Sequence, residues 1–457
     1  MKKKSTSQST YSNIAVFTGL LVVLVGLFLL VAGLLPNASA RVGSNPGFTQ
    51  GNAPLLLEQK VTASDGTTNS YFGSADALNG STALIGADGE NSFQGAAYLF
   101  TKSNGLWIQG QKLTASDGLP GDEFGYRVAL ADTTLVVGAF TATVNGNTSQ
   151  GAAYVFTKSN NIWSESQKLT ANDGGLFDNF GAPVALDGAT LVVAANGATV
   201  GGNPAQGAVY VFTASNGIWM QAQKLTANDG AAYDNFGLSV ALQGSTILVG
   251  SPHATVGTHQ VQGAIYVFTQ SNSAWTQTQK LTASDGAAND SFGQSVAMSD
   301  GTALVGAYNA RVNGHSGQGA AYIFTNSNNN WNQTQKLTAS DGTANANFGN
   351  AVALDSTQAL IGADVSTVGN NTSQGKAYLF EESNGSSSQS ATLVASDGAT
   401  DDFFGAALTL DGPTLLVSTP HPTIDGNTYQ GAAYFYSQRL TPSPRSRPTP
   451  APRPTPQ

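Results

Sequence analysis

The sequence predicts an all-β fold, a seven-bladed β-propeller of four-stranded antiparallel blades closed by its N-terminal strand. Three observations carry that expectation. A Phe-Gly pair recurs at Phe72, Phe124, Phe180, Phe236, Phe292, Phe348 and Phe404, first after 52 residues and then after every 56. Each interval holds four strand-like runs divided by turn residues, and repeats of this kind belong to propellers. The ends of the array are out of phase. Leu55 to Ser64, "LLLEQKVTAS", reads as a fourth strand with no first three before it, while Phe404 to Tyr436 supplies three strands and no fourth.

Taken in order, residues 1–40 read as a signal peptide or an N-terminal membrane anchor. Lys2, Lys3 and Lys4 precede an uncharged apolar run, Ile14 to Leu35, long enough to span a bilayer. Ala38-Ser39-Ala40 offers a small-residue cleavage site after Pro36. Either reading keeps the lysines inside and sends the rest of the chain out. A linker, 41–54, leads to the propeller, 55–440. The closing residues, 441–457, are Pro-rich with scattered Arg and read as an extended, disordered spacer.

One unit, Phe180 to Gly230, shows the four strands. "FGAPVAL" is the first, ending in a tight turn at Asp187-Gly188. "TLVVAA" and "QGAVYVFT" follow, joined by the longer loop "NGATVGGNPA". These middle strands are apolar on both faces, as in a sheet packed between two others. After Ser215-Asn216-Gly217 comes "WMQAQKLTA", which alternates and carries Lys224. A polar strand bearing Lys suits an outer edge, because charge there discourages pairing with other chains. All five tryptophans, Trp107, Trp163, Trp219, Trp275 and Trp331, fall in one slot of this strand. A residue repeated so regularly reads as packing rather than as a singular ligand contact.

Composition narrows the function. With no Cys, disulfides and thiolate chemistry are excluded. The net charge is −9, and seven of the 19 basic residues (Lys2, Lys3, Lys4, Arg439, Arg445, Arg447 and Arg453) lie at the two ends. The body between them is therefore more acidic than the whole, which is a poor match for nucleic acid.

The Phe-Gly pair, followed some fourteen residues on by triplets such as Gly250-Ser251-Pro252 and Gly86-Ala87-Asp88, resembles the FG-GAP repeat, the unit of the integrin alpha-chain propeller. The resemblance covers Leu55 to about Tyr436. It implies a seven-bladed ring and an extracellular binding or adhesion role exercised on one loop face. It also implies calcium between strands one and two. Here that connection is a tight turn, at Asn79-Gly80, Asp187-Gly188, Gln243-Gly244 and Asp411-Gly412, too short to wrap a cation that needs six or more oxygens.

A second acidic motif, Asp-Gly-x-x-x-Asp, enters most units, for example at Asp117/Asp122, Asp173/Asp178, Asp229/Asp234, Asp285/Asp290 and Asp397/Asp402. Two carboxylates alone make a weak calcium site. The expectation is instead that each Asp caps a turn through its own backbone, with the Gly in the left-handed conformation. The four histidines, His253, His259, His315 and His421, lie in long loops without the ligand set that zinc needs. No nucleophile elbow or phosphate-binding loop is present.

The connections between strands two and three, and four and one, should emerge on one side of the disc. Divergence among units concentrates there, at Phe140, His253, Tyr308, Arg311, His315, His421 and Tyr429. These are the candidate ligand-binding residues, since loops on a rigid frame carry recognition. The sequence thus predicts an exported, monomeric, non-enzymatic adhesion module with no cofactor. Its partner is an extracellular protein or a cell-wall or glycan ligand, and it meets a membrane only through the N-terminal segment. A lectin-like propeller and a secreted carbohydrate-active enzyme are the alternatives.

Overall fold

The computed structural model describes residues 56–438. The expected leader, linker and Pro-rich tail lie outside the described residues. Within them are seven four-stranded antiparallel sheets, each hydrogen-bonded in the order first, second, third, fourth strand. Blades 1 to 6 are residues 72–113, 124–169, 180–225, 239–281, 295–337 and 352–393. Blade 7 takes three strands from 407–438 and its fourth from Leu56–Val61. That strand pairs antiparallel with the third strand of blade 7, Leu56 opposite Gln438 and Val61 opposite Ala433. The closure read from the phase of the repeat is the closure observed.

First strands pack against the first strands of neighbouring blades and are therefore innermost. Second and third strands are buried, as Leu191–Ala195 and Ala208–Phe212 illustrate. Their double-faced apolarity fills the space between successive sheets, so that Leu84 and Leu99 of blade 1 share a cluster with Phe124 and Val137 of blade 2.

The Phe-Gly pair is the joint between blades. The Phe124 ring sits edge-on to Tyr154 and Phe156 of its own third strand, at 5.5 and 6.0 Å. Its N–H donates to the Gln94 carbonyl of the preceding blade at 3.0 Å, as Phe180 does to Gln150 and Phe72 to Gln430. The glycine that follows Gln lies so close to the next Phe that a Cβ on Gly151 would sit 2.1 Å from the Phe180 carbonyl oxygen. That proximity, together with its φ of +85°, excludes any other residue.

A second joint involves the Asp-Gly motif, and it departs from expectation. The first Asp keeps the contact with its own backbone but also reaches across to another blade. Asp173 accepts a hydrogen bond from Tyr210 Oη at 2.9 Å and pairs with Lys224 at 2.6 Å, both on the blade that the loop is about to enter. The same clasp recurs in all seven blades, closing with Tyr434 and Lys60 on Asp397. Blade 6 has Thr392 where the others carry this Lys, and Lys376 on its third strand reaches Asp341 instead. Edge Lys residues thus work in ion pairs as well as guarding an edge. Nor is the motif's glycine left-handed. Gly174 is glycine because a Cβ would fall 2.3 Å from Gln150 Nε2.

Between blades, outer strands are stitched by side chains. Gln167 donates to the Trp219 carbonyl and accepts from the Trp219 N–H, at 2.8 and 2.9 Å. All five tryptophans are buried, and Trp107 stacks on Phe435 at 4.2 Å. Their repetition is that of packing. No helix among the described residues is long and apolar enough to cross a membrane.

Candidate functional site on the loop face

The loops between strands two and three lie against the loops that enter the next blade. Asn235 N–H donates to Ala205 O, and Tyr71 N–H donates to Tyr429 O. Both loop types therefore share one face, as the sequence implies. At each junction the residue before Phe-Gly and the residue before Gln-Gly hold a positive φ, from Asn235 at 52° and Ala205 at 48° to Tyr71 at 53° and Tyr429 at 54°.

The structure does not gather the seven candidate residues into one site. Phe140 packs on Tyr126 at 4.0 Å, over which the Arg127 guanidinium lies. His253 is exposed, with Nδ1 2.6 Å from Asn235 Oδ1. Tyr308 is half-buried, whereas Arg311 and His315 are exposed, and Arg311 Nε donates weakly to Gly314 O at 3.3 Å. Only His421 and Tyr429 meet, with ring centres 5.1 Å apart.

Those two rings belong to a larger group across the seam where blade 7 meets blade 1. Phe403 stands edge-on to His421 at 4.7 Å. Tyr429 and Tyr71 are nearly parallel, 13° and 6.0 Å apart, and Tyr71 continues to Phe93 at 6.0 Å. Tyr71, Phe93 and Phe403 were not among the sequence candidates. They come from three distant segments, and only slot-by-slot comparison of the loops shows that each stands where the other blades have a non-aromatic residue.

Beside Tyr429 and His421 opens a cavity of about 490 Å³. Thr400, Asp401, Thr423 and Thr428 supply polar lining, together with Lys60 and Asp397. Burial keeps the His421 imidazole below its usual pKa, against a pull upward from Asp401. Desolvation raises Asp402, and the neighbouring Asp397 and Asp401 carboxylates add to the rise.

The acidic loops are occupied by the protein itself. Desolvation works against ionisation of Asp173, yet Lys224 and Tyr210 hold its carboxyl below the usual range. The second Asp, Asp178, accepts from Gly175 N–H at 2.7 Å, the turn cap expected of it. With both carboxylates turned to different protein partners, the pair does not form a chelating site. Among the described residues no three His, Asp or Glu side chains are grouped to hold a metal.

Blade 1 differs again. Its trimmed loop forms the one helical turn among the described residues, Glu90–Phe93, and brings buried Glu90 to Ser70 Oγ at 2.5 Å and to Lys112 at 3.2 Å. Ser70 occupies the second-Asp position and takes over its cap, accepting from Thr67 N–H at 2.8 Å, while Glu90 sets a carboxylate beside it. Nearby, burial lifts Glu123 to about 7, and Asp88 is raised by the same cause.

Comparison with protein families matches the FG-GAP repeat at residues 56–100, 107–156, 163–212, 219–268, 275–324, 331–380 and 387–436. Comparison with curated proteins gives no match.

Proposed function

The chain belongs to the FG-GAP repeat family, and from that premise we propose an exported adhesion module that takes an extracellular protein or glycan on its loop face. FG-GAP propellers are generally binding modules rather than enzymes, and seven such repeats on a seven-bladed ring make an integrin α-like propeller. The observation that carries the reading is the cluster of partly exposed rings at the closing seam, on a scaffold otherwise built from near-identical junctions. A rigid frame with one divergent loop region is the usual arrangement for recognition. Export rests on the apolar segment Ile14 to Leu35.

The reading is tested with the full chain as bait against extracellular material of its host. Wild type should retain a discrete partner, and Tyr429→Ala with Tyr71→Asn should release it without unfolding. Retention unchanged by those substitutions, but lost on changing the opposite-face turn residues Lys102, Lys158 and Asn216, would place the site on the wrong side.

A further inference from the structure

We propose that the row of rings across the closing seam is a platform for a neutral glycan chain; this rests on the loop-face reading above and names its ligand class. Of the left-handed positions at each junction, the residue before Phe-Gly and the residue before Gln-Gly face each other, and most blades fill them with small or polar residues, such as Asn235 with Ala205 at the junction of blades 3 and 4. Aromatic rings fill them only at four successive positions around the ring: Phe403, Tyr429, Tyr71 and Phe93. Left-handed backbone costs an ordinary L-residue about 1–2 kcal/mol, a cost that Phe177 and Tyr233 also meet, so what sets the seam apart is that its rings form one run of contacts. Two of them stay well open to water, Tyr429 at 44% and Phe93 at 40% exposure.

Tyr71 N–H is bonded to Tyr429 O at 3.0 Å and Asn69 N–H to Thr428 O at 2.9 Å, so the ring-bearing backbones are fixed to each other before any ligand arrives. A ligand then meets a preformed surface and loses less entropy on binding. Elsewhere on this face Phe177 and Tyr233 are also exposed, outside the run of ring contacts that links Phe403, His421, Tyr429, Tyr71 and Phe93.

An aromatic face carries negative charge density and attracts polarised C–H edges, which the faces of sugar rings present. The adjoining cavity, about 490 Å³, offers the Thr400, Thr423 and Thr428 hydroxyls and the Asp401 carboxylate to a ligand rich in hydroxyl groups. Its one Lys, Lys60, is held by Asp397 at 2.6 Å, and with Asp401 and Asp402 beside it the wall repels sulfate and uronate groups. The ligand class that remains is an uncharged saccharide.

The test uses the full chain in affinity gels and titrations with mixed-linkage β-glucan, galactomannan and amylopectin as neutral probes, and polygalacturonate as the anionic one. At least one neutral polymer should retain the protein. Tyr429→Ala should weaken that binding about tenfold, the loss of one aromatic contact. Phe177→Ala and Tyr233→Ala, exposed rings outside the row, should leave it unchanged. Tyr429→Ala copies Ala205, the residue in the same slot of blade 3, so a matched melting temperature is expected and confirms the fold. Retention by none of the neutral polymers, retention by polygalacturonate alone, or equal loss from control and seam variants would overturn the proposal. If a protein partner were instead released by Tyr429→Ala, the glycan assignment would fall while the loop-face reading stood. If seam changes affected neither glycan nor protein, both would fall.

Discussion

The junction between blades 3 and 4 and the seam between blades 7 and 1 are joined by the same bonds. At the first, Asn235 and Phe236 donate to Ala205 and Gln206; at the second, Tyr71 and Phe72 donate to Tyr429 and Gln430. Each has its Asp–Tyr–Lys clasp, Asp229 with Tyr266 and Lys280 in one, Asp65 with Tyr98 and Lys112 in the other. Yet one junction is made within a continuous chain and the other between its ends. They also differ in what they show to water: the paired slots hold Ala205 and Asn235 beside the lone ring of Tyr233 at the first, and the facing rings of Tyr429 and Tyr71 at the second. The lesson is that ring closure is set by backbone and clasp, which leaves the surface of the seam free to vary for binding.

Removing the closing strand should break this comparison most severely. Deleting residues 56–61 strips the partner from Ala433–Gln438 and takes Lys60 from Asp397. The expected loss is at least about 4–5 kcal/mol, in the range of exceptional single lesions, with aggregation through the exposed edge. Chemical denaturation measures it, and unchanged stability would mean that the ring closes by other means.

The seam also carries a charge that the other junction lacks. Asp76, on the inner strand of blade 1, occupies the slot of Val240 and accepts from Ser418 Oγ of blade 7 at 2.6 Å. Desolvation raises its pKa to about 7, with the Ser418 bond opposing. A carboxyl whose pKa is raised on folding favours the folded state fully below its unfolded pKa, and that contribution is lost as pH rises through about 7. Asp76→Val should therefore gain about 1–2 kcal/mol at pH 8, discounted from the full linkage value because the carboxyl keeps some access to water. It should gain little at pH 5. Equal gains at both pH values would deny that ionisation is the cause.

A smaller effect tests whether the clasps are equivalent. Tyr210→Phe and Tyr434→Phe each remove one hydroxyl-to-carboxylate bond, from an ordinary blade and from the closing one. Each should cost about 1–2 kcal/mol, and the two losses should agree within error. The smallest expected effect concerns calcium. Chelation should leave the melting temperature in place, whereas a site filled at 100 times its Kd would add about 2.7 kcal/mol. A clear rise with millimolar calcium would return the Asp-Gly loops to metal binding.

The ring, its seven blades and its closing strand were legible because a 56-residue period with out-of-phase ends admits few topologies. The burial of the tryptophans was legible for the same reason. The clasp was missed although its signal was present: Tyr210, Lys224 and Asp173 repeat in step, and Lys376 appears where Thr392 breaks the pattern. Reading each Asp-Gly as a local turn hid a bond that spans 37 residues in sequence. The candidate site was half legible. His421 and Tyr429 stood out as divergent residues, but Tyr71 and Phe403 sit beside the invariant Phe-Gly and passed as part of it. Asp76 likewise looked like one polar residue in a strand until its neighbours were known.

The central claim is that the seam rings serve binding rather than closure. The direct measurement is thermal unfolding of one variant, Tyr71→Asn, Phe93→Ala, Phe403→Asn and Tyr429→Ala, which gives the seam the residue types of its sister junctions. Relief of backbone strain offsets lost ring contacts, so stability should stay within about 1 kcal/mol of wild type. A loss as large as that from cutting the Tyr210 clasp, or larger, would contradict the claim and make the rings part of what holds the propeller shut.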